Sequence, residues 1–444
     1  MKNVLVLGAG LVSKPLVRYL LNCEATAVTV ASRTVSKAEA ILGAHPRGRA
    51  VALDVQAPGG TEALDGLIAA ADVVISLLPY VFHLDVARKC VTHKRHLVTT
   101  SYVKPEMKAL DGAAKEAGVL FLNELGLDPG IDHMSAMRVI EAVRDGGGSV
   151  ESFRSYCGGL PSPDDDDNPL GYKFSWSPKG VVLAGTNSAR YLEDGIMREI
   201  PNTRLFATHW PVFAPGVGEF EGYPNRDSVS YIETYGLHGV RTMFRGTLRN
   251  FGWCATWQKL VELGVVNAEP RKDLLTMTFA KVIAEIAGRR PGEDLRGAVA
   301  RRLSLHPNSR EMNNIAWIGL LDDRAIPPGA ESMADALSMR LAELMPYRKG
   351  EKDMIVLLHE FLASYPGRSA PRRVTSTLVA FGEPDGDSAM SKTVSLPAAV
   401  GTKLLLDGKI RLTGVHIPVV RELYDPILAE LKTLKIECLE EWED

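Results

Sequence analysis

The stretch VLVLGAGLVSKPLVRYLL, residues 4–21, constrains the fold more than any other part of the chain. A short apolar run that ends in glycine and passes at once into a helix-period segment is how a dinucleotide-binding domain begins. In the G-x-G-x-x-G pattern the first glycine makes the turn and the second lets the main chain approach a pyrophosphate. The third allows close packing of helix on strand. These positions are Gly8, Gly10 and Ser13, so a serine stands where the third glycine is usual. Serine is small enough for near contact, and the departure weakens the pattern without erasing it. Alone, the turn also fits an ordinary strand-to-helix connection. The helix would offer free N–H groups and its positive dipole end to the pyrophosphate. Pro15 falls in its first turn, where a missing N–H does little harm.

Context raises the pattern. Six apolar runs occupy the first 130 residues: VLVLG (4–8), AVTVAS (27–32), AVALDV (50–55), DVVISLLP (72–79), HLVTTSY (96–102) and VLFLNELG (119–126). Runs of this kind alternating with helical segments predict an α/β fold with a Rossmann-type, doubly wound parallel sheet. NAD-preferring sites carry an acid about 20 residues beyond the glycine turn, for the ribose 2′-hydroxyl. This chain instead has Ser32-Arg33-Thr34. A guanidinium can hold a 2′-phosphate bidentately, whereas a carboxylate would repel it, so NADP(H) is expected, with NAD(H) the alternative. Asp54, ending the third run, suits either the adenine amino group or the cap of a turn.

Beyond residue 130 the alternation stops at a glycine-rich break, RDGGGSVESFRSYCGGLPSPDDDDNP (144–169). The organisation predicted is a dinucleotide-binding domain over 1–130, completed by 388–444, and a second α/β domain with a mixed sheet over 131–254 plus 347–387. Residues 255–346, dominated by helix-period patterns such as LTMTFAKVIAEIAG and ADALSMRLAELM, read as a small all-helical insertion. DMIVLLHEFLA (353–363) and RVTSTLVAFG (373–382) read as a hairpin that rejoins the second sheet. At 444 residues, two or three domains are expected. The net charge of −3 argues against a nucleic-acid or anionic-membrane surface. Five scattered cysteines without a C-x-x-C pair give no metal spacing and fit a reducing cytoplasm. Neither a signal peptide nor a membrane span is expected. The acidic run Asp164 to Asp167 reads as a solvated loop.

Longer strings carry more specific information. SYCGGLPSPDDDDNPLGYKFSWSPKGV (155–181), NELGLDPGIDHMSAM (123–137), SLLPYVFH (76–83), TTSYV (99–103), YPNRDS (223–228) and RGTLR (245–249) occur in this order. Together they resemble the saccharopine reductase family, the glutamate-forming saccharopine dehydrogenases, over essentially the whole chain. The resemblance implies a nicotinamide cofactor acting on saccharopine, in which aminoadipate semialdehyde and L-glutamate are joined through a secondary amine. It implies an enzyme of lysine metabolism, a second domain that binds substrate and pairs subunits, and hence a homodimer. By the same resemblance Gly8, Ala9, Gly10, Leu11, Val12, Ser32, Arg33, Thr34, Asp54, Val55 and Leu77 match cofactor-contacting stretches. Thr100, Ser101, Leu127, Asp128, Pro129, Gly130 and Ser175 match others. Ser101, Tyr102, Asp128, Arg226, Thr247, Leu248 and Arg249 match substrate-contacting ones.

Those residue types suit the chemistry. Saccharopine carries three carboxylates, and arginine forks meet carboxylates with paired charge-assisted hydrogen bonds. Arg245, Thr247 and Arg249 alternate at strand period and would face one way, while Arg226 lies in a turn beside an Asp that could orient it. A solvated strand face is the plain alternative. Hydride transfer at the secondary amine also needs proton management. Asp128, Tyr102 and Cys157 are the catalytic candidates, against a helix cap (for which Asp132 could serve instead), a core tyrosine and a packing cysteine. His83 and His133 read as structural. Two other readings remain: a carboxyspermidine-type C–N oxidoreductase, which would want acids where this chain has arginines, and a non-catalytic dinucleotide-binding module.

Overall fold

Each of the six N-terminal apolar runs becomes a strand: β1 (Lys2–Leu7), β2 (Thr26–Ser32), β3 (Gly48–Ala52), β4 (Val73–Ser76), β5 (His96–Thr99) and β6 (Leu120–Leu122). The computed structural model, which describes residues 1–443, pairs them in parallel in the order β6-β5-β4-β1-β2-β3. A seventh strand, Gly414–His416, adds in parallel beside β6. It is three residues long, too short to stand out as a periodic run. β4, β6 and Val4–Leu7 of β1 are buried at every position, as a parallel sheet covered by helices requires, while the edge strand β3 is not. On one side Leu5, Leu7, Val74, Leu97 and Phe121 form a core with Leu64 and Ile68 of the helix Gly60–Ala69 and with Val86 and Cys90 of the helix His83–His93. Elsewhere in the same unit α1 (Ser13–Asn22) packs against the C-terminal helix Ala389–Leu406, and the Tyr19 hydroxyl donates to Glu430 Oε1 at 2.7 Å.

The chain separates into Met1–Ser149 with Gly386–Glu440, and Val150–Asp385 with the last residues from Glu441. Asp444, inside the expected 388–444 segment, lies outside the described residues. The change of unit therefore falls later than residue 131, because the helix Ile131–Asp145 packs against the helix Arg421–Thr433 of the first unit. Glu141 Oε2 takes hydrogen bonds from Arg421 Nε (2.8 Å) and from the Tyr424 hydroxyl (2.6 Å) across that contact.

The second unit holds a mixed sheet. Its strands are β7 (Ser149–Pro161), β8 (Ala189–Glu193), β9 (Ile196–Ile200), β10 (Trp210–Ala214), β11 (Gly218–Pro224), β12 (Thr242–Arg249), β13 (Asp353–Ser364), β14 (Arg372–Phe381) and the terminal Leu439–Trp442. The change of unit falls inside the glycine-rich break 144–169, half of which is strand: β7 runs through Gly158, where a Cβ would lie 2.8 Å from that of Leu248 on β12. Glycine there lets two strands approach. β13 and β14 form the expected antiparallel hairpin. The helices between 253 and 344 share one core with the sheet, with Trp253 and Trp257 stacked at 3.9 Å and packed beside Phe244, Leu248 and Val356. The acidic run is anchored, not merely solvated: Asp165 accepts from Lys352 N at 2.9 Å, and Asp167 pairs with Lys173 at 2.9 Å.

Candidate active site

In the first unit the strand order reverses between β1 and β4, and ligands of doubly wound sheets bind at the carboxyl ends beside that point. There the chain turns at Gly8, whose φ of +108° disfavours any side chain and whose added Cβ would stand 3.2 Å from the Leu77 carbonyl oxygen. Gly10 differs, since a Cβ there would project into open space. That is the room a pyrophosphate needs. Ser13 is fully buried, and its hydroxyl accepts from Gly10 N (3.0 Å) and donates to Gly8 O (3.1 Å). The substituted serine thus ties the glycine turn together.

A cleft of about 320 Å³ opens over this turn. Of the residues expected to hold a cofactor, Gly8, Ala9, Gly10, Ser32, Arg33, Thr34, Asp54, Val55 and Leu77 line it, while Leu11 and Val12 lie in the adjoining turn. Thr100, Ser101, Leu127, Asp128, Pro129 and Gly130 lie outside its lining. Lys37, Gln56, Pro79 and Phe82 line it and were not anticipated. A second basic residue one helical turn beyond Arg33 was the signal for Lys37. Arg33 and Lys37 are both exposed, and neither has a side-chain hydrogen bond or ion pair among the described residues. Two unengaged cations beside the Ser32 and Thr34 hydroxyls fit a doubly charged 2′-phosphate. Asp54 caps a turn, its Oδ1 accepting from Gln56 N at 3.0 Å, while also lining the cleft.

At the ends of β4, β5 and β6 the same unit carries a buried polar cluster. His83 Nδ1 lies 2.9 Å from Ser76 Oγ, and His83 Nε2 lies 2.9 Å from Ser101 Oγ and 3.2 Å from Thr99 Oγ1. Burial pushes the His83 pKa down to about 4, so the ring is neutral near pH 7. Tyr102 donates its hydroxyl proton to Asp128 Oδ1 at 2.9 Å. Asp132, not Asp128, bonds the main chain of the following turn, accepting from Gly130 N at 2.5 Å. Gly130 has φ +148°, and a Cβ on it would collide with Gly126 O at 2.1 Å, so the LGLDPG turn closes only with glycine there. The Asp128–Pro129 peptide is cis.

In the second unit β12 presents Arg245, Thr247 and Arg249 on one face by strand alternation. Thr247 pairs in register with Cys157 on β7 and Tyr223 on β11. Arg249 is 4% exposed, with its guanidinium 4.8 Å from the Tyr172 ring centre and 5.3 Å from that of Trp253. Its Nη1 donates to Leu248 O at 2.7 Å, yet among the described residues its Nε is buried without a partner and no carboxylate pairs with it. Tyr172 and Trp253 are themselves in contact, their ring centres 4.8 Å apart, so the guanidinium packs against an adjoining ring pair, and a buried cation without a counter-ion favours a nearby anion. Arg245 stacks over Tyr231 at 4.2 Å. Leu248 departs from the expectation: its side chain lies in the core. Arg226 is exposed with φ +50°, and Asp227 does not orient it, because Asp227 Oδ1 instead binds Arg190 Nε at 3.2 Å and Val229 N at 3.1 Å. Ser175 is buried, and its hydroxyl has no partner among the described residues.

Comparison with known proteins shows the family. Residues 4–122 match the family of the saccharopine dehydrogenase NADP binding domain, and residues 126–436 that of the saccharopine dehydrogenase C-terminal domain. The saccharopine dehydrogenase (NADP(+), L-glutamate-forming) of Saccharomyces cerevisiae is 41% identical, with 97% of each chain covered. The enzyme of that name from Schizosaccharomyces pombe is 38% identical over 99% of each chain. The mitochondrial alpha-aminoadipic semialdehyde synthase of Bos taurus is 40% identical over 97% of this chain but 47% of its own length. The apo saccharopine dehydrogenase (L-Glu forming) structure from Saccharomyces cerevisiae superposes with a TM-score of 0.91 at 38% identity, covering all of both chains. Its α/β fold, its NADP-binding sheet and its sequence from end to end place this chain in the family of the L-glutamate-forming saccharopine dehydrogenases.

Proposed function

We propose that the chain is an NADP(H)-dependent oxidoreductase interconverting saccharopine with aminoadipate semialdehyde and L-glutamate, a step of lysine metabolism. Beyond family membership, the observation that carries this reading is Arg249, buried against the adjoining rings of Tyr172 and Trp253 with no carboxylate paired to it among the described residues. It suits a substrate rich in carboxylates and argues against a polyamine. Arg226 and the Thr247 hydroxyl are assigned to the same ligand. NADP(H), when bound, accepts or supplies the hydride.

The protein's share is binding and proton control. The secondary amine must be neutral before it can lose hydride, and the resulting imine must gain water and collapse to aldehyde and amine. Asp128 takes the proton through the Tyr102 hydroxyl that donates to its Oδ1 at 2.9 Å, and the pair returns it to the departing glutamate nitrogen. Cys157 is assigned beside the substrate as a polarity-setting neighbour. Neutral His83 holds Ser101 in place. We also infer a cytoplasmic homodimer. All five cysteines are free, and no helix among the described residues is long and apolar enough to cross a membrane.

Absorbance at 340 nm with saccharopine and NADP+ or NAD+ tests the reading. NADPH formation with equimolar glutamate is expected, faster than NADH formation. If the protein binds NADPH yet forms no reduced cofactor from saccharopine, the catalytic assignment fails, and turnover of a carboxylated polyamine would replace it. Light scattering on a sizing column reads the oligomer, a monomer being the result against the dimer.

A further inference from the structure

One buried carboxylate of the first unit has no part in the chemistry above. Glu124 follows β6, is 5% exposed, and adopts φ +56°, a left-handed conformation uncommon for a side-chain-bearing residue. Such a backbone persists where its surroundings over-determine it. They do so from two sides. Glu124 Oε1 accepts from Val103 N at 2.8 Å, directly after Tyr102, and the Glu124 main-chain N–H donates to Ser101 O at 3.2 Å. Glu124 Oε2 lies 2.7 Å from Nε2 of His133, a fully buried residue in the first turn of the helix that follows the Asp128-Pro129-Gly130 turn. One carboxylate therefore bridges the loop that carries Tyr102 and the helix that anchors the turn carrying Asp128.

We propose that Glu124 and His133 are positioning residues that hold the Tyr102 loop against the Asp128 turn, so that the Tyr102 hydroxyl stays directed at Asp128 Oδ1. This rests on the reading of Tyr102 and Asp128 as the proton-handling pair. Glutamate rather than a shorter acid is required because its two oxygens reach in different directions, one to a main-chain amide and one to an imidazole. A small displacement of either segment changes the donor geometry at Asp128, and misplacement by about 1 Å can lower a rate about 100-fold.

The test uses the full chain with saccharopine and NADP+. Glu124→Gln keeps an oxygen for Val103 N but removes the charge facing His133, and should lower kcat about 10- to 100-fold. The KM for NADP+ and NADPH affinity by fluorescence should stay unchanged. His133→Gln, which retains a donor toward Glu124, should keep kcat within about 3-fold, whereas His133→Leu should match Glu124→Gln. The deciding measurement repeats these variants in a Tyr102→Phe background. If they act through the Tyr102–Asp128 pair, their effect on kcat disappears there; an equal loss in both backgrounds overturns the proposal. Failure of the underlying reading is seen separately, as an unchanged kcat in Tyr102→Phe alone. Should Glu124→Gln not fold, the two His133 variants decide, and equal kcat for Gln and Leu overturns the proposal.

Discussion

At the end of β1 the ligand-facing surface is main chain, shaped by Gly8 and by the open side of Gly10, with two exposed cations at its rim. On the face of β12 it is a single buried guanidinium, packed against the adjoining rings of Tyr172 and Trp253 with its Nε unpartnered among the described residues. The first surface is shallow and wet, so its charges are screened. The second is dry, so one charge there counts for far more. The contrast teaches that selectivity between cofactors and recognition of substrate should respond to substitution on different scales.

The largest effect is therefore expected on β12. Arg249→Met preserves volume and removes the charge, and should lower kcat/KM for saccharopine at least about 100-fold, the scale of losing a charge-assisted bidentate contact. NADPH affinity should be unchanged, and a parallel loss of NADPH binding would break the distinction between the two regions. Next comes a titration that only the first unit should feel. His83 has a folded pKa of about 4, below the roughly 6.5 of an unfolded histidine. Between those values the unfolded chain binds more protons, so the contribution is complete above about pH 6.5 and declines as pH falls toward 4. Denaturant titration at pH 7 and pH 5 should show that loss, on the order of 2 kcal/mol, in the native chain and not in His83→Gln. Identical pH slopes would refute it.

Smaller changes belong to the exposed rim. Arg33→Ala should weaken NADP(H) by about 10-fold and NAD(H) hardly at all, with Lys37→Ala giving about 3-fold in the same direction. Equal weakening of both cofactors would sink the 2′-phosphate assignment. Raising salt should erode the Arg33 effect and spare that of Arg249. The smallest is Ser13→Ala, which deletes the two bonds that tie the glycine turn and should cost about 1 kcal/mol in thermal or denaturant stability with a modest rise in the KM for NADP+. No change in either would leave the serine as simple filling.

The same contrast explains what could be read from the chain unaided. A site made of main chain leaves its mark in residues that backbone geometry demands, so Gly8, Gly10 and the alternating apolar runs announced the first sheet and its cleft. Arg33 stood where an acid would have meant another cofactor. A site made of side chains on a sheet face leaves no such mark, because burial of Arg249 depends on Tyr172, far off along the sequence, and on a Trp253 that only the turn after β12 brings onto it, and only long family strings pointed to it. Asp227 misled for the same reason: adjacency to Arg226 in sequence did not survive the pairing of that turn with Arg190. Glycines 158 and 159 suggested a break where close approach of β7 to β12 needed a bare backbone at Gly158. Ser13 looked like a tolerated substitution because its partners, the amide of Gly10 and the carbonyl of Gly8, are main-chain atoms that a residue string does not display.

The strand Gly414–His416 and the helix Ala389–Leu406 come from the far end of the chain, yet they complete the sheet begun by Lys2–Leu7 and cover α1. During synthesis the ribosome must therefore emit the whole second unit before the first can close. A nascent or prematurely ended chain has its glycine turn in place from the start but lacks the edge strand and the helix packed on α1. The residues that line the nucleotide cleft all lie within 8–82, so its lining is synthesised long before the helix that covers α1.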